Sequence, residues 1–292
     1  CMSSKKYEDI PIIDTHIHFY DPTLPGGVAW PSPDDKALYK PTYPKHFNPV
    51  TKENGVKATV IVEASDLQKD NKWLLDITKE QKGHYTGIVG SLAVGSPVFK
   101  KDLNELCEDP RFVGIRIRPR EAFPYFTKEF WRDLELLAAK GKTLDILMVG
   151  ITLPEVSKIA KRIPNLKIMV NHLSGLSLDK ENVVNDLWRK ELRDCAAHSN
   201  VFMKISGAFQ RANTKPAPQN LSFYKPCLDH IVECFGEDRL VYGSNWPVLN
   251  RYGNYVEYKS VIMKFCKQYS LSFSEKLLYK NAIAFYGLPK LK

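Results

Sequence analysis

The sequence predicts an α/β fold, a single (β/α)8 TIM barrel, because eight strand patterns alternate with helical patterns. The candidate strands are apolar, rich in β-branched residues and bounded by Gly or Pro, and they lie at 11–19, 56–65, 85–94, 112–119, 143–149, 167–173, 201–208 and 239–248. Strands that alternate with helices predict parallel βα units, and eight such units close into a barrel without sheet edges. An open doubly wound sheet is the alternative, but no glycine-rich phosphate loop follows the first strand.

Apolar residues at helical spacing fill most of the gaps between these strands. Such segments lie at 71–82, 130–140, 155–163, 183–197 and 225–235, and two more follow the last strand at 256–268 and 274–286. We expect these helices to form the outer layer of the barrel, and we expect the aromatic residues of the last one to pack onto it.

The chain is predicted to be one domain, 1–292, because α/β barrels of this length share a single core. It carries an N-terminal arm, 1–10, and a loop insertion, 20–50, after the first strand. The insertion is rich in proline and aromatic residues. It is interpreted either as an ordered cap over the barrel mouth, where Tyr20 and Trp30 line a pocket, or as a loop packed on the outer helices.

Composition excludes several classes of partner. The formal charge of +9 suits a small anionic ligand. No nucleic-acid-binding motif is present, and no apolar run approaches the length of a membrane span. The composition is also compatible with a homo-oligomer.

The six cysteines contain no Cys-x-x-Cys pair and fit reduced thiols in a cytoplasmic enzyme. Cys1, before Met2, is interpreted as an added residue or, alternatively, as a processed lipoprotein terminus that would anchor the chain to lipid.

The first strand carries the strongest local signal, 14-DTHIH-18. His16 and His18 are two residues apart, so their side chains point to the same face of the strand. Neutral imidazole is the commonest metal ligand in proteins. Taken alone, the motif fits metal ligands and hydrogen-bonded structural histidines about equally well.

Two further motifs follow later strands. His172 lies in 171-NHLSG-175 at the end of the sixth strand, and Asn245 lies in 243-GSNWPV-248 at the end of the eighth. The carboxyl ends of barrel strands meet at one mouth, so the three motifs are predicted to converge on one site. Trp246, beside Asn245, is a candidate pocket wall.

Together, DTHIHFYDP, NHLSG and GSNWP resemble the amidohydrolase-related proteins that include sugar-acid lactonases and the 2-pyrone-4,6-dicarboxylate lactonase. The resemblance covers nearly the whole chain. It implies a distorted barrel that hydrolyses a small polar substrate, commonly a lactone. It also implies either one divalent metal ion, for which zinc is the favoured candidate, or a metal-free site. By resemblance, His16, His18 and His172 are the metal-binding histidines.

Asn245 departs from the aspartate that the family usually carries there as general base. An amide cannot take a proton near neutral pH, although its oxygen can accept a hydrogen bond or coordinate a cation. Glu63, at the end of the second strand, is a candidate replacement as base or metal ligand, or else a partner for a nearby cation. His172 is the other candidate base in a metal-free site.

Cationic residues near strand ends are candidate substrate ligands. Arg116 and Arg118 share one face of the fourth strand, and Lys204 lies on the seventh. Pointing inward, they would bind a carboxylate or a lactone carbonyl, with Arg116 and Lys204 favoured over Arg118. Alternatively, they neutralise Glu63 or Asp14.

These observations predict a hydrolase that opens the lactone of a small acidic or sugar-acid substrate. In the predicted mechanism, a water activated by the bound cation attacks the carbonyl carbon, while Arg116 and Lys204 bind the acidic group or the oxyanion. A metal-dependent decarboxylase of a small carboxylic acid and a non-catalytic binding barrel are the alternatives.

Overall fold

A computed structural model describes residues 6–118, 125–179 and 184–292. Eight parallel strands form one sheet in the order of the chain. They are β1 Ile12–Ile17, β2 Val56–Val62, β3 Tyr85–Gly90, β4 Phe112–Ile117, β5 Thr143–Ile146, β6 Ile168–Val170, β7 Val201–Ile205 and β8 Leu240–Tyr242. The predicted barrel is confirmed, and each strand begins within about a residue of its predicted start.

The barrel closes between β1 and the segment that follows β8. Asn245 N–H donates to the His16 carbonyl at 2.8 Å, and His18 N–H donates to the Trp246 carbonyl at 3.0 Å. An isolated parallel bridge joins Ile17 to Trp246. Because these bonds lie beyond the end of β8, the seam is irregular, and it joins two of the motifs predicted to form the site.

Eleven helices are present in the part of the chain that the structure describes. They are α1 Pro44–Asn54, α2 Lys69–Ile77, α3 Phe99–Leu106, α4 Lys128–Ala139, α5 Leu153–Arg162, α6 Asp186–Ala196, α7 Ala208–Ala212, α8 Leu221–Phe235, α9 Tyr255–Cys266, α10 Leu271–Glu275 and α11 Asn281–Tyr286. The helical patterns correspond to α2, α4, α5, α6, α8, α9 and the α10–α11 pair. None of these helices is long and apolar enough to cross a membrane.

The predicted boundary of the loop insertion at 50 is wrong, because α1 begins at Pro44. A proline is well accommodated in the first turn of a helix, where its missing N–H is not needed. Pro49 inside the helix hides the helical pattern. The irregular part of the insertion ends at Tyr43, and backbone hydrogen bonds between Tyr20 and Thr42 close its base.

Two apolar layers hold the barrel together. The larger one lies between the strands and the outer helices. The smaller one joins side chains from β1, β2, β3, β4, β6 and β8 to Phe285, Tyr286 and Leu288. The aromatic residues of α11 therefore pack onto the barrel as predicted, and the structure adds that they contact the inner strand face.

The N-terminal arm is described from Lys6 onward. It forms a 3-10 turn over Tyr7–Asp9, and Tyr7 Oη donates to the Tyr269 carbonyl at 2.7 Å. Both interpretations of Cys1 lie outside the described residues.

Candidate active site

Three histidines from β1 and the end of β6 meet inside the barrel mouth. The ring centroids of His16 and His18 lie 5.0 Å apart, and those of His16 and His172 lie 4.4 Å apart. All three side chains are buried. The structure thus brings together residues that are more than 150 positions apart in the sequence.

Unusual backbone conformations place two of the site residues. His172, Leu173 and Ser174 have φ values of 52°, 53° and 61°, and Gly175 follows at 72°. Asn245 also has a left-handed φ, 62°. Each such non-glycine residue costs on the order of 1–3 kcal/mol, so surrounding contacts must hold these turns.

Glycines leave room for the histidine rings. A Cβ atom on Gly207 would lie 2.9 Å from His172 Nδ1, and one on Gly243 would lie 2.8 Å from the Cβ atom of His16. Real Cβ atoms do not approach other atoms so closely. Both glycines are therefore part of the packing that positions the imidazoles.

Hydrogen bonds orient the rings of His18 and His172, and the Asn245 amide lies close to His18 as well. His18 Nδ1 lies 2.9 Å from the Val62 carbonyl oxygen. A carbonyl only accepts, so Nδ1 carries the hydrogen and Nε2 carries a lone pair. His172 Nδ1 lies 2.7 Å from Ser206 Oγ, so Nε2 is the ring nitrogen of His172 without this partner. Both rings line the same pocket.

His16 lies between two cations and has no free nitrogen. Lys204 Nζ donates to its Nδ1 at 3.3 Å, and Arg116 Nη1 lies 3.5 Å from its Nε2. Burial first, and then neighbouring positive charges including Lys204, hold the pKa of His16 well below its usual value of 6.5. The ring is therefore neutral, and it can accept a hydrogen bond from only one of these two donors.

The predicted set of three metal-binding histidines does not fit this arrangement. A metal ion binds an imidazole lone pair at about 2 Å. At His16 Nε2 it would lie against the Arg116 guanidinium, and at His16 Nδ1 it would lie against the Lys204 ammonium. Within residues 6–118, 125–179 and 184–292, no group of three or more His, Cys, Asp or Glu side chains is arranged to hold a metal ion. A metal ion held by all three histidines therefore does not fit these contacts.

Glu63 lies behind two arginines and does not line the pocket. Its Oε1 accepts from Arg116 Nε and from Arg118 Nε, each at 2.7 Å. Its carbonyl also accepts from Arg116 Nη2 at 3.0 Å. The prediction of Glu63 as base or metal ligand is not supported by this placement. The alternative role, a partner for nearby cations, is the one the structure shows.

Lys204 is also outside the pocket lining, contrary to its predicted contact with substrate. Its Nζ donates to Asp145 Oδ2 and to the Thr15 carbonyl, each at 2.9 Å. Asp145 was not recognised in the sequence because the predicted fifth strand extended to 149, whereas β5 ends at Ile146. This places the carboxylate near the carboxyl end of the strand, where it neutralises Lys204.

The pocket has a volume of about 200 Å³ and contains polar side chains that the motifs did not reveal. Arg118, ranked below Arg116 from sequence, lines it, and Arg116 does so as predicted. The residues missed by sequence reasoning are Asn171, Gln210 and Arg211. Asn171 directly precedes His172 and was within reach of the motif, whereas the other two lie on α7, which is too short to show a helical pattern.

Asn245 lines this pocket beside His18. Its Nδ2 donates to Gln210 Oε1 at 3.0 Å. Arg211 Nη1 donates to the Gly175 carbonyl at 2.8 Å. Contacts of α7 with the segments that follow β6 and β8 therefore hold the polar walls of the pocket.

Of the three predicted aromatic walls, only Trp30 lines the pocket, with its ring centroid 5.6 Å from that of His18. Tyr20 lies behind Trp30, and its Oη donates to the Leu38 carbonyl at 2.7 Å. Trp246 packs on Phe47 with ring centroids 4.7 Å apart. This apolar contact buries the large indole ring of Trp246. The predictions for Tyr20 and Trp246 as walls of the histidine pocket are therefore wrong, and both residues line a neighbouring pocket instead.

The chain is similar to a known lactonase and to solved barrel structures. It is 27% identical over 263 residues to the L-fucono-1,5-lactonase of Burkholderia ambifaria, covering 88% of this chain and 87% of the relative. An amidohydrolase from Burkholderia multivorans, solved with bound zinc, has a TM-score of 0.86 at 23% identity, covering 96% of this chain and 100% of that one. A probable 2-pyrone-4,6-dicarboxylic acid hydrolase from Acinetobacter baumannii, solved with citric acid, has a TM-score of 0.71 at 16% identity, covering 95% and 99%.

The two solved structures show the same fold as this chain. The sequence profile of the amidohydrolase family matches residues 13–288, from β1 to beyond α11. This match confirms the resemblance drawn from the DTHIH, NHLSG and GSNWP motifs. The chain belongs to the amidohydrolase family.

Proposed function

We propose that the protein hydrolyses the lactone of a small acidic substrate, such as a sugar acid. One observation carries the proposal: a single pocket is lined by two imidazoles and three guanidinium groups. The imidazoles belong to His18 and His172, and the guanidinium groups belong to Arg116, Arg118 and Arg211. Opening a lactone requires an acceptor for the proton of water and donors for the carbonyl oxygen. The L-fucono-1,5-lactonase relative supports a cyclic ester as the substrate.

His18 is the proposed acceptor of the water proton. Its Nδ1–H is held by Val62, so the lone pair is on Nε2. Burial first, and then the charge of Arg116, hold the pKa of His18 well below 6.5, so the ring is a neutral acceptor at neutral pH. General base catalysis by a positioned imidazole contributes about 10²- to 10⁴-fold to the rate.

His172 and Arg116 are the proposed donors to the carbonyl oxygen. Attack of water forms a new C–O bond and places negative charge on this oxygen, which positioned donors stabilise. The ring C–O bond then breaks, and the proton held by His18 passes to the departing alkoxide. The products are a carboxylic acid and a free hydroxyl group, so water is the only co-reactant.

Asn245 cannot replace the family's aspartate as base, because its amide is neutral and already donates to Gln210. Its carbonyl oxygen can accept a hydrogen bond from the attacking water beside His18. We therefore assign Asn245 to orienting the water, while His18 takes the proton.

Charge in the pocket favours an acidic substrate. Glu63 is shared between Arg116 and Arg118, so one carboxylate partners two guanidinium groups. Arg211 adds a third cation, and no Asp or Glu is among the described residues that line the pocket. Arginine binds carboxylates in a bidentate manner, so Arg118 and Arg211 are the proposed ligands of the acid group.

The test compares lactones that carry a free carboxylate with neutral sugar lactones of the same ring size, using acid release followed by a pH indicator. We expect the acidic lactones to be hydrolysed with the higher kcat/KM. His18→Asn should lower kcat by about 10²-fold or more, whereas His198→Asn, in the loop before β7, should not.

Full activity of the His18→Asn variant would contradict the assigned base. Release of carbon dioxide from small carboxylic acids, without lactone hydrolysis, would favour the decarboxylase. Binding without turnover would favour the non-catalytic barrel.

We propose a reducing compartment, the cytoplasm, for this enzyme. The five cysteines in the described part of the chain are free thiols, which supports this placement.

A further inference from the structure

Ser206 contacts both the backbone and the ring of His172. Its Oγ accepts from the His172 backbone N–H at 3.3 Å and lies 2.7 Å from His172 Nδ1. Ser206 directly follows β7 and has no exposed surface. A single buried hydroxyl therefore anchors His172, two residues after β6, to the end of β7.

We infer that Ser206 is a positioning residue that fixes His172 as the tautomer with its hydrogen on Nε2, by donating its hydroxyl hydrogen to Nδ1. The use of that hydrogen in catalysis rests on the proposed lactone hydrolysis. The position of the hydrogen on the ring is independent of that proposal.

The direction of this hydrogen bond follows from counting donors and acceptors. A serine hydroxyl has one hydrogen and two lone pairs, and the His172 backbone N–H occupies one of the lone pairs. Among the described residues, Nδ1 of His172 is the one acceptor within hydrogen-bond distance of Oγ. If Nδ1 carried the hydrogen instead, the hydroxyl hydrogen would be buried without a partner, which proteins avoid.

The charge surrounding His172 keeps its ring neutral, so only one nitrogen carries a hydrogen. Burial first, and then the positive charges of Arg116, Arg211 and Lys204, hold the pKa of His172 well below 6.5. With Nδ1 accepting from Ser206, Nε2–H is the group presented to the pocket.

The two pocket histidines are then complementary. Val62 accepts from His18 Nδ1–H and leaves an acceptor at Nε2, whereas Ser206 donates to His172 Nδ1 and leaves a donor at Nε2. Ester hydrolysis needs one group of each kind. Two neutral imidazoles acquire opposite roles because one faces a carbonyl and the other faces a hydroxyl.

The test is the nitrogen spectrum of the full chain labelled with ¹⁵N-histidine, in which a protonated ring nitrogen and one with a lone pair differ widely in shift. A His172→Gln variant assigns the resonances. We expect Nε2–H in the wild type and Nδ1–H or a mixture in Ser206→Ala. The same variant should lose about tenfold in kcat with a smaller change in KM, and Ser206→Thr, which keeps the hydroxyl, should recover the tautomer.

Ser274→Ala is the matched control, because Ser274 is also a fully buried serine and its Oγ donates to the carbonyls of Cys266 and Ser270. It should leave the His172 spectrum and kcat unchanged. Nδ1–H in the wild type would overturn the inference, and so would an unchanged spectrum in a folded Ser206→Ala variant. If no lactone is hydrolysed, the proposed function fails while the spectrum still decides the role of Ser206.

Discussion

Lys204 Nζ lies 2.9 Å from Asp145 Oδ2 beneath the candidate site, and neither side chain has any exposed surface. Asn171 Nδ2 and Tyr286 Oη each donate to the same carboxylate at 2.8 Å. The ion pair therefore joins β5 and β7 to α11 and to the residue before His172. It supports the floor of the pocket without lining it.

Removing one partner of this pair should strongly destabilise the fold. In Lys204→Met the Asp145 carboxylate would remain buried without its cation, which typically costs about 3–5 kcal/mol. Urea unfolding gives the free energy directly. Lys190→Met is the control, because Lys190 and Asp194 form an exposed pair, and its loss should leave the free energy of unfolding nearly unchanged. Equal losses in the two variants would argue against a structural role for the buried pair.

Glu63→Gln should separate a role in holding the arginines from a role as base. Loss of the shared carboxylate releases Arg116 and Arg118, so we expect KM to rise about tenfold, equivalent to about 1.4 kcal/mol, with a smaller change in kcat. Steady-state kinetics with an acidic lactone measures both constants. Glu105→Gln, which alters only an exposed pair with Lys72, should change neither. A loss confined to kcat would instead identify Glu63 as the base.

Gly207→Ala should impair catalysis more than its backbone cost explains. Gly207 has a φ of 63°, and an added Cβ would lie 2.9 Å from His172 Nδ1. A displacement of a reacting group by about 1 Å can cost on the order of 10²-fold in rate. Gly141→Ala is the matched control, since Gly141 has a φ of 70° and nothing within 4 Å of the added atom. Both variants should lose about 1–2 kcal/mol of stability, but only the first should lose kcat.

The free energy of unfolding should fall as the pH drops below 6.5. Burial, as the largest cause, holds the pKa values of His16, His18 and His172 well below that value. The three rings therefore stay neutral in the folded protein when the pH falls just below 6.5. In the unfolded chain these histidines bind protons below pH 6.5. Above that pH they are neutral in both the folded and the unfolded state, so they do not change the free energy of unfolding with pH. Each histidine adds up to about 1.4 kcal/mol per pH unit.

Urea unfolding at pH 7.5, 6.5 and 5.5 measures this slope. His172→Gln should reduce it by about one proton. A free energy that stays constant across this range would show that the three rings are protonated in the folded state.

Removal of divalent metal should leave hydrolysis intact, because each ring nitrogen of His16 faces a cation, Lys204 at Nδ1 and Arg116 at Nε2. We expect the enzyme dialysed against a chelator to keep its kcat within about twofold, with far less than one metal ion per chain by elemental analysis. Added zinc should not raise the activity. Stoichiometric metal together with activity lost on chelation and restored by zinc would show that the site rearranges to bind it.

The sequence by itself was sufficient for the barrel and for the meeting of its histidines. Strands are signalled by short apolar runs, which are local, and the order of the runs determines the order of the sheet. The strand ends were less well predicted. The pattern 239–248 is longer than the strand it contains, β8 Leu240–Tyr242, because the residues that follow this strand are buried as well. Once the barrel is predicted, His16 and His172 must lie at the same mouth.

Only the tertiary structure decided what each polar side chain does there. Lys204 and Asp145 are 59 positions apart, and Arg116 and Glu63 are 53 apart, so no local pattern shows that these charges are paired. Likewise, Val62 and Ser206 determine which nitrogen of each pocket histidine is free, and they reach the rings from other strands. Burial in a common interior makes such partners obligatory, because unpaired polar groups are costly there, and the choice of partner depends on which strands lie side by side.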